Sequence, residues 1–222
     1  HSLEESADQI AERWLAELRD GIEGTNVRPG FIKIGLDPGS LQEVDRKLVI
    51  AAARTHLQTG LTIASDTAHY ESAAAQLALL EAEGVAPEAW VWLHAQRETR
   101  TDGILEAAHR GAWVLVDDLA EESVSRRVLL LRYLKDRGLL GRTLISQNAP
   151  GYQPGYARPL RVQRYDRVFK LLIPSLMRAD FTPEDISRLT VVNPRSAYTT
   201  RIRPAPETTD PEHAPRKLER GE

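Results

Sequence analysis

The chain has 222 residues, 41% hydrophobic and 27% charged, with a formal net charge of −3 and no cysteine. That composition is globular and excludes wholesale disorder. Without a basic excess the chain is not expected to bind nucleic acid, whose phosphates must be neutralised by many cations. Without cysteine there is no disulfide scaffold, no thiolate metal site and no cysteine nucleophile. No run of about 18 apolar residues reads as a membrane span, so no membrane partner is expected. No secretory leader is visible, and a cytoplasmic location is favoured over secretion. Residue 1 is His rather than Met, which points to a fragment or a processed product.

In chain order, residues 3–20 set Ile10, Trp14 and Leu18 on one helical stripe. Phe31–Leu36 is the first of five apolar runs that read as buried strands; Leu61–Thr67, Trp90–His94, Trp113–Val116 and Thr143–Asn148 follow. Their starts lie 23 to 30 residues apart, room for one crossover helix each time, which is how parallel strands are joined. Ser40 with Glu43 reads as a capping box opening a helix that turns Val44, Leu48 and Ala52 inward. Residues 71–83 and 122–137 carry the stripes Ala73, Leu77, Leu80 and Val124, Val128, Leu131. Gly60, Gly84, Gly111 and Gly141 precede the later strands as left-handed helix ends. Thr182-Pro183-Glu184-Asp185 is an N-cap followed by proline at the first helical position, and Asn193-Pro194 is expected to open a last short helix. From Arg201 the chain is rich in Pro, Glu and Arg, so 1–200 read as one unit and 201–222 as a disordered tail.

Repeated βα units predict a parallel α/β fold, either a barrel or an open doubly wound sheet. Neither G-x-G-x-x-G nor G-x-x-x-x-G-K-[ST] follows any strand, which weighs against nucleotide binding. In such folds the site lies at the carboxyl ends of the strands. Those ends carry Lys33, Asp66, His94, Asp117-Asp118 and Asn148. Side-chain alternation puts Lys33, Thr62, Ala64, Asp66 and His94 on one face. It puts Ile32, Ile34, Leu61, Ile63, Val91 and Leu93 on the other. Each polar residue also has a plain reading. Lys33 could snorkel or pair with an acid, Asp66 could cap a loop, and His94 could be a satisfied barrel histidine. Asn148 could shape the loop before Pro150, and Asp117-Asp118 could cap the helix near Glu122. Their convergence on one rim favours function over five separate coincidences.

Several segments together resemble the phosphotriesterase-like branch of the amidohydrolase superfamily. They are G-T-x-V-R-P-G-F-I-K-I-G (24–35), A-A-A-R-T-H-L-x-T-G-L (51–61), L-x-x-E-G-V-x-P (80–87), W-L-H-A-Q (92–96), L-x-x-R-G-L-L-x-R-x-L-I-S (134–146) and T-x-E-D-I-S-R-L-T-V-V-N-P-R (182–195). The resemblance implies a (β/α)8 TIM-type barrel, incomplete here, with about five parallel βα units standing for strands four to eight. It implies a binuclear metal centre, usually zinc, whose bound hydroxide attacks an ester, lactone or phosphotriester. Lys33 matches the lysine whose carbamate bridges the two metals, and His94 matches a metal-binding histidine. Asp66 stands where the family has a metal-binding histidine. Asn148 stands where it has the aspartate that binds metal and accepts the proton, and a neutral amide is no general base. No H-x-H pair occurs in the chain. At most one weak zinc site is therefore expected from Lys33, Asp66 and His94, with hydrolysis impaired. The alternatives are a non-hydrolytic binding barrel and a metal-free enzyme using His94 with Asp66, Asp117 or Asp118 as acid and base. Small-molecule esters or lactones are the expected ligands. The open strand edges, and the aromatic loop with Tyr152, Pro154 and Tyr156, point to homo-oligomers and an apolar pocket.

Overall fold

Five short strands pair in chain order into one parallel sheet: β1 Ile32–Gly35, β2 Ile63–Asp66, β3 Trp90–Leu93, β4 Trp113–Val116 and β5 Thr143–Ile145. The computed structural model describes residues 4–37, 39–67, 69–149 and 165–206. Helices α1 Ala7–Asp20, α2 Glu43–Thr59, α3 Tyr70–Ala82, α4 Thr101–His109 and α5 Val124–Asp136 alternate with the strands. The predicted α/β architecture with five parallel βα units is the one the chain adopts, an incomplete sheet of the (β/α)8 type.

The sheet has two apolar faces. On the helix side Ile32, Ile34, Ile63, Trp90, Trp92, Val114 and Val116 pack with Val49 and Ala52 of α2, Leu77 and Leu80 of α3, Ile104 of α4 and Leu131 of α5. On the inner side Ala64, Val91, Trp113, Leu115 and Leu144 form a second cluster with Ala197 and Tyr198. Burial on both faces is what a parallel sheet requires, and it explains why the strands read as continuous apolar runs.

The alternation expected for β3 is inverted. Val91 lies on the inner face, and Trp90 and Trp92 take the helix side, where Trp92 Nε1 donates to Thr67 O at 2.8 Å. His94 follows the strand with φ 58°, so strand alternation no longer governs it. The cap of α2 also sits later than Ser40 and Glu43: the Gln42 N–H donates to the buried Asp45 carboxylate at 2.9 Å. Gly138, with φ 72°, takes the left-handed position assigned to Gly141, which instead lies in the 3-10 turn Leu140–Arg142.

After β5 come α6 Ile173–Arg178, α7 Pro183–Ser187 and α8 Asn193–Tyr198. Thr182 caps α7 as predicted, accepting from the Asp185 N–H. Asn193 does not open a new helix. The backbone runs helically from α7 into α8 through the π turn Arg188–Val192. Pro194 explains the widening. It offers no N–H to the Thr190 carbonyl, and its ring would strike that carbonyl in a regular helix. The π turn Val168–Leu172 before Pro174 of α6 repeats the device. Asn193 is buried and uses its amide to hold the helix to the base of β5, donating to Leu140 O and Thr143 O, each at 2.7 Å.

The predicted tail does not leave the fold at Arg201. Pro204 bridges Val85, Arg203 is buried, and Arg201 N–H donates to Gly60 O at 3.0 Å. Composition missed this because Pro and Arg look solvated in sequence. Here the Arg203 guanidinium donates to the carbonyls of Ser196, Ala197 and Thr199, at the carboxyl end of α8, where a cation is favoured. Residues 207–222 lie outside the described residues. Among the described residues no helix is long and apolar enough to cross a membrane.

Candidate functional site

The carboxyl ends of β2, β3 and β4 converge on His94. Its Nδ1 lies 2.7 Å from Asp117 Oδ2, and it is 12% exposed against 3% for the Asp117 side chain. Asp117 is held from three sides. Gln96 Nε2 donates to its Oδ1 at 2.5 Å, its own N–H donates to Gln96 Oε1 at 3.0 Å, and Arg127 Nε donates to its carbonyl at 2.8 Å. Burial holds the Arg127 guanidinium below its usual value, while its partner Asp118 at 3.3 Å opposes that shift. An ionised carboxylate only accepts, so Asp117 fixes the imidazole proton on Nδ1. The other nitrogen, Nε2, faces the rim, 3.4 Å from Asp66 Oδ2. Asp66 in turn pairs with Arg97 at 3.5 Å.

The left-handed backbone at His94 makes this possible. It starts the 3-10 turn Ala95–Arg97, which brings Gln96 and Arg97 back over the strand ends. Asp117 follows Trp113 and Leu115 on the inner face of β4 and turns its carboxylate to the ring. It does not cap a helix: α5 begins after Ser123, whose hydroxyl donates to Asp118 O at 2.7 Å. The same alternation that marked Asp66 would have marked Asp117. Gln96 closes the W-L-H-A-Q segment but had no role attached to it, and Arg97 and Arg127 carried no signal that distinguished them from ordinary surface polar residues.

Lys33 and Asn148 stand apart. Lys33 is level with Ala64, while Gly35 is level with Asp66, so Lys33 sits two residues lower in the sheet. That is a displacement of about 7 Å along the strand. Lys33 is exposed. Asn148 is half-buried, with φ 44°. Among the described residues no hydrogen bond joins Lys33 or Asn148 to Asp66 or His94. The loop with Tyr152, Pro154 and Tyr156 lies outside the described residues.

These donors do not fit a binuclear centre. Asp66 and His94 converge, while Asp117 is committed to His94 Nδ1 and Gln96. Among the described residues no group of three His, Asp or Glu side chains is arranged to hold a metal ion. A catalytic zinc ordinarily has three protein ligands and one open position. The His94–Asp117 contact is nevertheless the arrangement that orients a metal-binding imidazole.

Residues 1–198 match the model of the Phosphotriesterase family. The chain belongs to the phosphotriesterase family. It is 30% identical over 202 residues to the phosphotriesterase homology protein of Escherichia coli (strain K12), across 89% of this chain and 68% of that protein. It is 28% identical over 212 residues to an aryldialkylphosphatase of Saccharolobus solfataricus, across 88% of this chain and 66% of that one. The crystal structure of the E. coli protein complexed with phosphate in its active site superposes with a TM-score of 0.80 at 29% identity, covering 90% of this chain and 69% of that chain. A lactonase from Listeria monocytogenes shares the fold, with a TM-score of 0.79 at 22% identity, covering 90% of this chain and 63% of that chain. The chain thus spans about two thirds of the length of these relatives.

Proposed function

We propose that the chain belongs to a hydrolase barrel for ester-type small molecules — an ester, a lactone or a phosphotriester — and that by itself it does not turn them over. The observation that carries this reading is the rim: among the described residues His94, oriented by Asp117, converges with Asp66 and with no other carboxylate or imidazole free to ligate. The substrate class is supported by the relatives: one is an aryldialkylphosphatase and one binds phosphate in its active site. In metal-assisted hydrolysis the metal lowers the pKa of bound water and polarises the carbonyl or phosphoryl oxygen. In this chain His94 Nε2 and an Asp66 oxygen would contribute two donors to one weakly held zinc. Lys33 starts two residues below Asp66 in the sheet register, and no hydrogen bond among the described residues joins it to Asp66 or His94. Asn148 is a neutral amide and takes no proton. This donor set supports no metal-borne step.

The test is elemental analysis of the purified chain after dialysis against zinc, with assays on an aryl phosphotriester, an aryl ester and a lactone. At most one zinc per chain and no turnover above background are expected. Two zinc ions per chain, or hydrolysis that a chelator abolishes, overturn the reading.

A further inference from the structure

We propose that His56 is an acid-sensitive latch: protonation of its Nε2 releases the strap Arg201–Ala205 from the amino-terminal face of the barrel. The strap lies beyond the family match, which ends at residue 198, and far from the His94 rim. It nevertheless ties the end of α8 to the segments that enter β2 and β3. Arg201 N–H donates to Gly60 O at 3.0 Å, Ala86 N–H to Arg203 O at 2.9 Å and Ala205 N–H to Gly84 O at 2.8 Å. The approach is so close that a Cβ on Gly60 would stand 2.5 to 2.7 Å from the Arg201 backbone.

His56, on α2, closes this seam from inside. The ring is fully buried. Its Nδ1 lies 2.8 Å from Leu61 O, and its Nε2 accepts the Arg203 N–H at 3.0 Å. A nitrogen that accepts from an N–H carries no proton, and one facing a carbonyl donates. The geometry therefore fixes the neutral Nδ1–H tautomer. A second proton on Nε2 would point at the Arg203 N–H, donor against donor, in a fully buried site. The charged groups nearby reinforce this. The Arg203 guanidinium of the strap opposes an imidazolium. Arg201 is a second cation on the strap, and Glu88, before β3, acts on Arg203. Arg54 of α2 is turned to Asp8 and Glu83. Loop 60–61 offers the ring only the Leu61 carbonyl. Burial is the main cause that lowers the His56 pKa from 6.5.

The sign follows. The folded, latched state holds His56 neutral, so the latch is complete above about pH 6.5 and weakens as the pH falls below it. Opening only the strap lets Nε2 take its proton and leaves both apolar faces of the sheet intact.

Amide hydrogen exchange on the full chain at pH about 7.5 and about 5, corrected for intrinsic rates, tests this. The Ala86, Arg203 and Ala205 amides should exchange at least about tenfold faster at the lower pH, while the β3 amides keep their protection. In His56→Gln that pH dependence should vanish. Nitrogen NMR of the His56 ring in the unmutated protein gives a second readout if the variant does not fold. The ring should be the Nδ1–H tautomer at pH about 7.5 and should charge together with strap exchange. A ring that stays neutral to pH about 4.5, a strap whose pH response survives in His56→Gln, or loss of protection across the whole sheet in the same step overturns the latch.

Discussion

His94 Nδ1 lies 2.7 Å from Asp117 Oδ2, and this contact decides which nitrogen of the ring faces the rim. Asp117→Asn keeps the size and removes the obligatory acceptor. The imidazole of the unmutated protein is expected to show the Nδ1–H tautomer by nitrogen NMR, and the variant a mixture of the two tautomers. Stability should fall by about 1–3 kcal/mol, because Gln96 Nε2 then donates to a neutral group or loses its acceptor. Urea unfolding measures the second effect. An unchanged tautomer would show that the ring is positioned by packing and not by the carboxylate.

Gly103 lies inside α4, where alanine usually gains about 1 kcal/mol in helix propensity. Here a Cβ would stand 2.5 Å from Cβ and Cγ of Tyr70, whose ring packs at 6.3 Å from Trp92. Overpacking costs about 1–3 kcal/mol and outweighs the propensity gain. Gly103→Ala should therefore destabilise the chain. In a Tyr70→Gly background, which removes both the Cβ and the Cγ that the added methyl would strike, the cost of the same change should shrink, which a double-mutant cycle reads directly.

Burial, helped by Glu106, pushes the Tyr70 hydroxyl from 10.0 up to about 12. The fold favours the neutral phenol. Its contribution is therefore intact below pH 10 and is lost as the pH climbs from 10 toward 12. An absorbance titration of phenolate should show a late-ionising tyrosine that Tyr70→Phe removes. A titration unchanged by that substitution would contradict the assignment.

Most of the scaffold was legible because parallel strands buried on both faces must be apolar throughout, and helices between them must carry stripes. The five strand positions follow from that requirement alone. Side-chain direction was less legible where the backbone leaves the regular regions. His94, at φ 58°, is the pivot of the rim, and no alternation rule reaches it. Asn193-Pro194 carries a start signal that the structure overrides, because a π turn absorbs the proline inside a continuing helix. Arg203 was hidden for another reason. Its partners are the carbonyls at the end of α8, and carbonyls leave no mark in a sequence. Lys33 and Asn148 were placed on the rim as strand ends, and the register refines the first: Lys33 is level with Ala64, two residues before the level of Asp66.

In the sheet order β1 to β5 each outer strand has one pairing edge open among the described residues. Phe31, beside β1, is 44% exposed and stacks edge-on with Tyr198 at 5.7 Å. Open edges present unpaired N–H and C=O groups to other chains. The isolated chain is expected to self-associate at micromolar concentration, and sedimentation should show species heavier than a monomer. A monodisperse monomer with a single cooperative unfolding transition would rule this out.

Restoring two residue types should not restore chemistry. Asp66→His with Asn148→Asp would return the family's residue types at both positions, but three obstacles remain. Lys33 still lies two residues below the Asp66 level in the sheet register, and it is exposed. Asn148 follows β5 with a left-handed backbone, at φ 44°, so an aspartate there keeps a conformation that costs about 1 kcal/mol or more. The chain also contains no H-x-H pair to serve as direct ligands of a metal ion. The double variant is therefore expected to hold no second zinc and to show no ester, lactone or phosphotriester hydrolysis above background. Turnover should return only when a segment bearing H-x-H is supplied together with both substitutions. Metal-dependent turnover by the double variant alone would show that Asp66 and Asn148 were the whole defect.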